Sequence, residues 1–165
     1  MKTATINGLE ITVSGLRELK EFSTAGITHL VSIWGGLDAQ NADVTCRMKA
    51  AFPEACLHYA FFDDVIDLDA HCSPTEEAIR SILAFTGSLT HGDRLLIHCT
   101  AGISRSTAVA FAALCQHWGP GYEIECFVEL KWMRPRATPN PLVVRLADFL
   151  LKRGEEMVKA LNCGG

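Results

Sequence analysis

Leu95-Leu96-Ile97-His98-Cys99-Thr100-Ala101-Gly102-Ile103-Ser104-Arg105-Ser106 decides how this chain is read: an apolar strand runs into a cysteine, five loop residues, an arginine and a helix of small residues. A loop closed by Arg105 at the first turn of a helix aims several backbone N–H groups, the positive end of the helix dipole and a planar guanidinium at one point. Such a pocket suits a phosphate dianion. Cys99 lies at its base, where positive potential lowers a thiol's pKa, so the sulfur is expected largely as thiolate near neutral pH, poised for in-line attack on phosphorus.

Outward from this stretch, residues 10–14 alternate like an edge strand, and the short apolar runs 30–33, 57–62 and 95–98 read as buried strands. Ser73-Pro74-Thr75-Glu76 reads as a capping box with proline at the first helical position; Ile79, Ile82, Leu83, Thr86 and Leu89 then mark one face, and Gly92 is the expected stop. Residues 41–52 form a second helical pattern closed by Pro53. Residues 106–118 are apolar nearly all round, which predicts a helix buried on most sides. Helices follow over 122–133 and 141–152, the latter capped by Asn140 with Pro141 in its first turn. Strands alternating with helices predict an α/β fold: a mainly parallel central sheet flanked by helices on both faces, with the site at the carboxyl ends of the strands. Residues 153–165 read as a short helical extension with a frayed end.

His98 through Ser106 resembles the signature loop of the cysteine-dependent protein tyrosine phosphatases, and its Ala-Gly-x-Ser-Arg-Ser core is most similar to the dual-specificity branch. Residues 26–33 are similar to the first core strand of that branch. Residues 133–140 are similar to its Arg-Pro…Pro-Asn segment before the last helix. The likeness runs over residues 11–151 in family order, which implies a phosphatase-like domain over 1–165 with its core at about 11–151 and an extension at 153–165.

The resemblance implies a phosphomonoesterase acting on phosphotyrosine, and on phosphoserine or phosphothreonine, in proteins through a phosphocysteine intermediate. Cys99 is the expected nucleophile. Arg105 is expected to grip two equatorial phosphate oxygens. The N–H groups of Thr100, Ala101, Gly102, Ile103, Ser104 and Arg105 supply the cradle, with Gly102 letting the backbone turn toward the phosphate. Ser106 is expected to hydrogen-bond the sulfur and help it leave in the second step. His98 precedes the nucleophile, so on a strand its side chain points away from that of Cys99; it is expected to organise the loop by bonding backbone and to tune the thiol, with a satisfied core histidine as the plainer reading. Asn140 braces the loop or caps its own helix.

An alkoxide or phenoxide leaves poorly unless it is protonated, so an acid is required. Asp63, Asp64, Asp67 and Asp69 lie 36, 35, 32 and 30 positions before Cys99. Asp64 ranks first, since Phe62-Asp63-Asp64 resembles the apolar-x-Asp strand ending of the branch. Asp67 ranks next, and Asp63 and Asp69 stay open.

Composition narrows the field. The 165 residues are 48% hydrophobic and 21% charged, as in ordinary globular proteins, and the net charge of −4 with scattered Lys and Arg argues against nucleic acid or an anionic membrane surface. Seven cysteines, odd in number and never in Cys-x-x-Cys spacing, read as reduced, cytoplasmic usage, with no secretory or membrane-spanning segment. No cofactor is expected, and no metal: His58, His71 and Cys72 show no recognised ligand spacing. The expected partner is a phosphorylated protein or peptide, with oligomeric state open. The loop lacks the lysines of inositol-lipid phosphatases of this superfamily, and no Asn-Arg-Tyr segment is present to deepen the pocket. Two rivals remain: a phosphopeptide-binding module with vestigial catalysis, and a rhodanese-like sulfurtransferase carrying a persulfide on Cys99.

Overall fold

A computed structural model describes residues 2–22, 26–40 and 42–163. The apolar runs form five strands, β1 (Ala4–Ile6), β2 (Leu9–Gly15), β3 (His29–Trp34), β4 (Cys56–Phe61) and β5 (Arg94–Cys99), in the order β1-β2-β5-β3-β4. β1 is antiparallel to β2 and the other pairs are parallel. The sheet is therefore mainly parallel, as expected.

Residues 10–14 are not at the edge. β2 is hydrogen-bonded to β5 on one side and to β1 on the other. The hairpin that supplies β1 turns at Asn7-Gly8, both at positive φ (49° and 80°), as the primed two-residue turns require.

Alternation along β5 divides its side chains between two cores. Leu95, Ile97 and Cys99 join Ile79 and Ile82 of α2 (Glu76–Gly87), the alanine-rich α3 (Arg105–Trp118), Leu130 of α4 (Glu123–Met133) and Val143 of α5 (Pro141–Leu151). On the other face Leu96 packs with Leu30, Trp34, Val44 and Met48 of α1 (Ala42–Ala51), and Leu19 of a 3-10 segment, Leu16–Phe22. Every residue of α3 from Arg105 to Cys115 is buried. Phe111 lies at its centre, edge-on to Phe127 at 5.7 Å; truncating so enclosed a ring costs about 3–5 kcal/mol.

Two helix boundaries differ from expectation. Thr75 rather than Ser73 caps α2, accepting a hydrogen bond from Ala78 N–H, so Pro74 precedes the helix. That helix ends at Gly87, not Gly92, capped by Ser88, whose N–H donates to the Phe85 and Thr86 carbonyls; α3 crosses the last turn, where a Cβ on Gly87 would lie 2.4 Å from Gln116 Nε2, which donates to the Leu83 carbonyl. Gly92 instead sits in the turn before β5, at φ 91°.

Most of the C-terminal extension is ordered helix. Asp148 receives Glu155 N–H and Met157 N–H on its two oxygens, which starts α6 (Glu156–Cys163) and seats Met157 and Ala160 in the main core. The frayed end expected beyond it, residues 164–165, lies outside the described residues. No helix among the described residues is long and apolar enough to cross a membrane.

Candidate active site

Cys99 ends β5 and Arg105 begins α3, so the intervening loop lies at the carboxyl end of the sheet. The orientation of this loop follows from where its carbonyls go. The Thr100 carbonyl accepts from Leu16 N–H at 3.1 Å, the Gly102 carbonyl from Arg134 Nε at 2.9 Å, the Ile103 carbonyl from Thr138 N–H at 2.9 Å and the Ser104 carbonyl from Ala108 N–H at 2.9 Å. Arg134 Nη2 also reaches the Ala101 carbonyl, at 3.5 Å. In a trans peptide the N–H points opposite to the C=O. With the carbonyls bound to the surrounding protein, the N–H groups of the following residues are left to face the space over Cys99. Gly102 N–H does so directly, donating to Cys99 Sγ at 3.3 Å.

Gly102 is required here twice over. Its φ is 69°, and a Cβ would lie 2.5 Å from the Gly15 backbone nitrogen at the end of β2.

Cys99 is 2% exposed. Burial pushes its thiol pKa up, but Ser106 Oγ at 3.1 Å, the backbone N–H groups of Ser106 and Gly102, and the nearby Arg105 charge more than offset that and hold it below the ordinary thiol value. Arg105 is buried too: Nη1 donates to the Phe62 carbonyl at 2.9 Å and Nη2 to Thr100 Oγ1 at 3.1 Å. Its Nε has no hydrogen-bond partner among the described residues. A buried guanidinium with a donor to spare, at a helix start, is matched to an oxyanion.

The four aspartates separate. Asp64 Oδ1 accepts from Ser104 Oγ at 2.6 Å and Asn140 Nδ2 at 2.8 Å, which ties it to the loop. Asp63 turns to Gly36 N–H at 3.0 Å, and Asp67 accepts from Asp69 N–H on an exposed turn. Asn140 sits between the loop and α5, its backbone N–H donating to the Ser104 carbonyl at 3.3 Å. Its Oδ1 caps α5 through Leu142 and Val143 N–H, while its Nδ2 holds Asp64 and the Val65 carbonyl.

His98 lies on the opposite face of the sheet, as alternation requires, with the Cys99 backbone within hydrogen-bonding influence of its ring. Its Nε2 pairs with Ser32 Oγ at 2.6 Å, Trp34 Nε1 donates to the same oxygen, and the Trp34 ring stands edge-on at 5.5 Å. Burial pushes its pKa down to about 4 against the opposing pull of the Cys99 backbone hydrogen bond, with the Arg105 charge adding to the drop, so the ring is neutral at pH 7.

Two functional-looking features escaped the sequence reading. Glu18 and Arg134 form a clamp under the loop: Glu18 Oε2 accepts from Gly15 N–H at 2.6 Å, and both its oxygens meet the Arg134 guanidinium, at 3.0 and 3.1 Å. A cavity of about 440 Å³ beside it is lined by Glu18, Ala101, Ile103, Arg134, Pro135 and Arg136. The second feature is a cluster of metal-ligating types, Asp63, His71 and Cys72, whose ligand atoms lie within 4.8 Å of one another.

A mainly parallel sheet ends in a Cys-x5-Arg loop under a buried helix, an arrangement whose fold is shared with solved phosphatase structures. The chain is similar to dual-specificity members of the cysteine-dependent protein tyrosine phosphatases, in sequence over part of its length and in fold. It is 34% identical over 105 residues to dual specificity phosphatase 28 of Homo sapiens, covering 62% of this chain and 52% of that protein. To dual specificity protein phosphatase 15 of Rattus norvegicus it is 45% identical over 51 residues, 31% of this chain and 21% of that one. The aligned segments thus span about half of the first relative's length and a fifth of the second's. Among solved structures, Tk-PTP in the active form superposes with a TM-score of 0.59 at 21% identity, over 88% of this chain and 92% of that one, a likeness of fold. No protein-family model matches the chain.

Proposed function

We propose that the chain hydrolyses phosphate monoesters on protein tyrosine, and on serine or threonine, using Cys99 as nucleophile, within one phosphatase domain over residues 1–165. The observation that carries this reading is the convergence of inward N–H groups and the spare Arg105 donor over a thiol of lowered pKa.

In the first step the Cys99 thiolate attacks phosphorus opposite the leaving oxygen, so that the P–S bond forms as the P–O bond breaks. Arg105 and the loop N–H groups hold the equatorial oxygens and stabilise the charge that builds on them. Asp64 gives its proton to the leaving oxygen. Both Asp64 hydrogen bonds fall on Oδ1, which leaves Oδ2 to carry that proton. In the second step Asp64, now carboxylate, takes a proton from water as it attacks phosphorus. The P–S bond breaks, and Ser106 Oγ hydrogen-bonds the departing thiolate.

A binding module would need no acid, and a sulfurtransferase no upstream aspartate; the tie between Asp64 and the loop favours hydrolysis over both. Steady-state hydrolysis of an aryl phosphate by wild type and Cys99→Ser tests the proposal. Loss of turnover with phosphate binding retained is expected, and activity within about tenfold of wild type in the variant overturns it.

A further inference from the structure

The loop between β4 and α2 closes on itself. Asp63 N–H donates to the Cys72 carbonyl at 2.8 Å, which forms a neck, and Ser73 N–H donates to the Ala70 carbonyl at 3.2 Å just beyond it. Three side chains meet at that neck. His71 Nδ1 is 3.0 Å from Cys72 Sγ, and a carboxylate oxygen of Asp63 completes a group whose ligand atoms all lie within 4.8 Å of one another. Two of the three are held from behind. Asp63 Oδ1 is fixed by Gly36 N–H, and Cys72 occupies the space a side chain on Gly36 would need, since a Cβ there would come within 2.2 Å of the Cys72 Cβ and Sγ.

We propose that Asp63, His71 and Cys72 form a binding site for a divalent cation of the zinc class. Carboxylate, imidazole and thiolate together form the mixed donor set that borderline cations prefer, whereas calcium and magnesium select oxygen alone. Two anionic ligands neutralise the dication. Three protein ligands leave a fourth tetrahedral position to water. Bonds of about 2.0–2.3 Å place tetrahedral ligands roughly 3.5 Å apart, so separations of up to 4.8 Å have to shorten by up to about 1.3 Å. The exposed His71 side chain is free to swing that far. Binding displaces the Cys72 thiol proton to solvent, so affinity rises with pH.

The site is separate from the catalytic thiol, since Cys99 is enclosed by Ser106 and Gly102. A cation here staples residues 63 and 72 and shortens the free span of the loop that carries Asp64. Only this consequence for catalysis rests on the reading of Asp64 as the acid.

The test is titration of the full chain carrying Cys99→Ser with Co²⁺, following the near-ultraviolet thiolate-to-cobalt band, with Zn²⁺ as competitor. Expected are one Co²⁺ per chain, displacement by Zn²⁺, and loss of the band when Cys72→Ser is added. His71→Asn is expected to weaken Co²⁺ at least about tenfold while circular dichroism is unchanged. Absence of a band overturns the proposal, as does a band that survives Cys72→Ser and so belongs to the exposed Cys46, Cys56 or Cys163. Should Cys72→Ser fail to fold, the exposed His71→Asn decides, and unchanged affinity there overturns the site. Aryl phosphate turnover by wild type reports on the phosphatase reading separately.

Discussion

Ser104 Oγ donates to Asp64 Oδ1 at 2.6 Å across 40 residues of sequence, joining the loop over Cys99 to the turn after β4. This bond orients one carboxylate among four toward the site. Asp64→Asn is therefore expected to slow alkyl phosphates far more than nitrophenyl phosphate, and to flatten the basic limb of the pH–rate profile, while leaving Cys99 attack intact. Asp67→Asn, made in parallel on the exposed turn, is expected to change neither. If the leaving-group dependence appears in Asp67→Asn instead, the acid is Asp67.

Arg134 holds the Gly102 carbonyl and the Glu18 carboxylate at once. Arg134→Ala should leave the loop less well oriented, lowering kcat by about tenfold to a hundredfold with a smaller change in KM. Arg134→Lys restores little, because a point charge does not match a carboxylate in two places while reaching a carbonyl. Steady-state kinetics on the three proteins checks this; a kcat equal to wild type in Arg134→Ala removes the clamp from the account.

The placement of Cys99, Arg105 and Ser106 around one loop was legible because they lie in one contiguous stretch whose strand, loop and helix each follow from local pattern. That an aspartate just past β4 comes near the loop was legible from its place beyond a strand end, and the bond to Ser104 singles out Asp64 as the one tied there. The clamp was not, because Glu18 and Arg134 are 116 residues apart and only the fold brings them together. The cluster at Asp63, His71 and Cys72 was missed for a related reason: no ligand spacing announces a site made by a loop returning on itself. Asn7-Gly8 is different. That dipeptide is a strong local hairpin signal, and reading it would have moved residues 10–14 off the edge of the sheet. The end of α2 falls at the Ser88 cap, under Gln116 of another helix, short of Gly92, the glycine that marks a stop in the local pattern. Alternation gave the direction of His98, but its partner Ser32 comes from a neighbouring strand.

His98 makes stability depend on pH. Its folded pKa of about 4 lies below the ordinary value of 6.5, so between these values the unfolded chain binds a proton that the folded chain does not. Stability is thus highest above pH 6.5 and falls as the pH drops toward 4, by up to about 3 kcal/mol from this group alone. Urea unfolding at several pH values should show wild type losing more than His98→Gln across that window. Parallel curves would remove His98 as the source.

Gly102→Ala places a side chain at φ 69° and against the Gly15 nitrogen. Where the protein stays folded, the loop must shift and lose its N–H to Cys99, so kcat is expected to fall about a hundredfold or more, as on removal of an oxyanion donor. Turnover and circular dichroism on the same sample distinguish this from unfolding.

Phosphate is expected to pass through Cys99 on its way to water. Ser106→Ala slows departure of the thiolate in the second step, so the intermediate accumulates. Rapid acid quench of that variant during aryl phosphate turnover, followed by peptide mass spectrometry, is the direct measurement. A single phosphoryl group on Cys99, absent from the Cys99→Ser protein, is the predicted result. Turnover with no phosphoryl group on Cys99, or with one on another residue, would rule out Cys99 as the nucleophile.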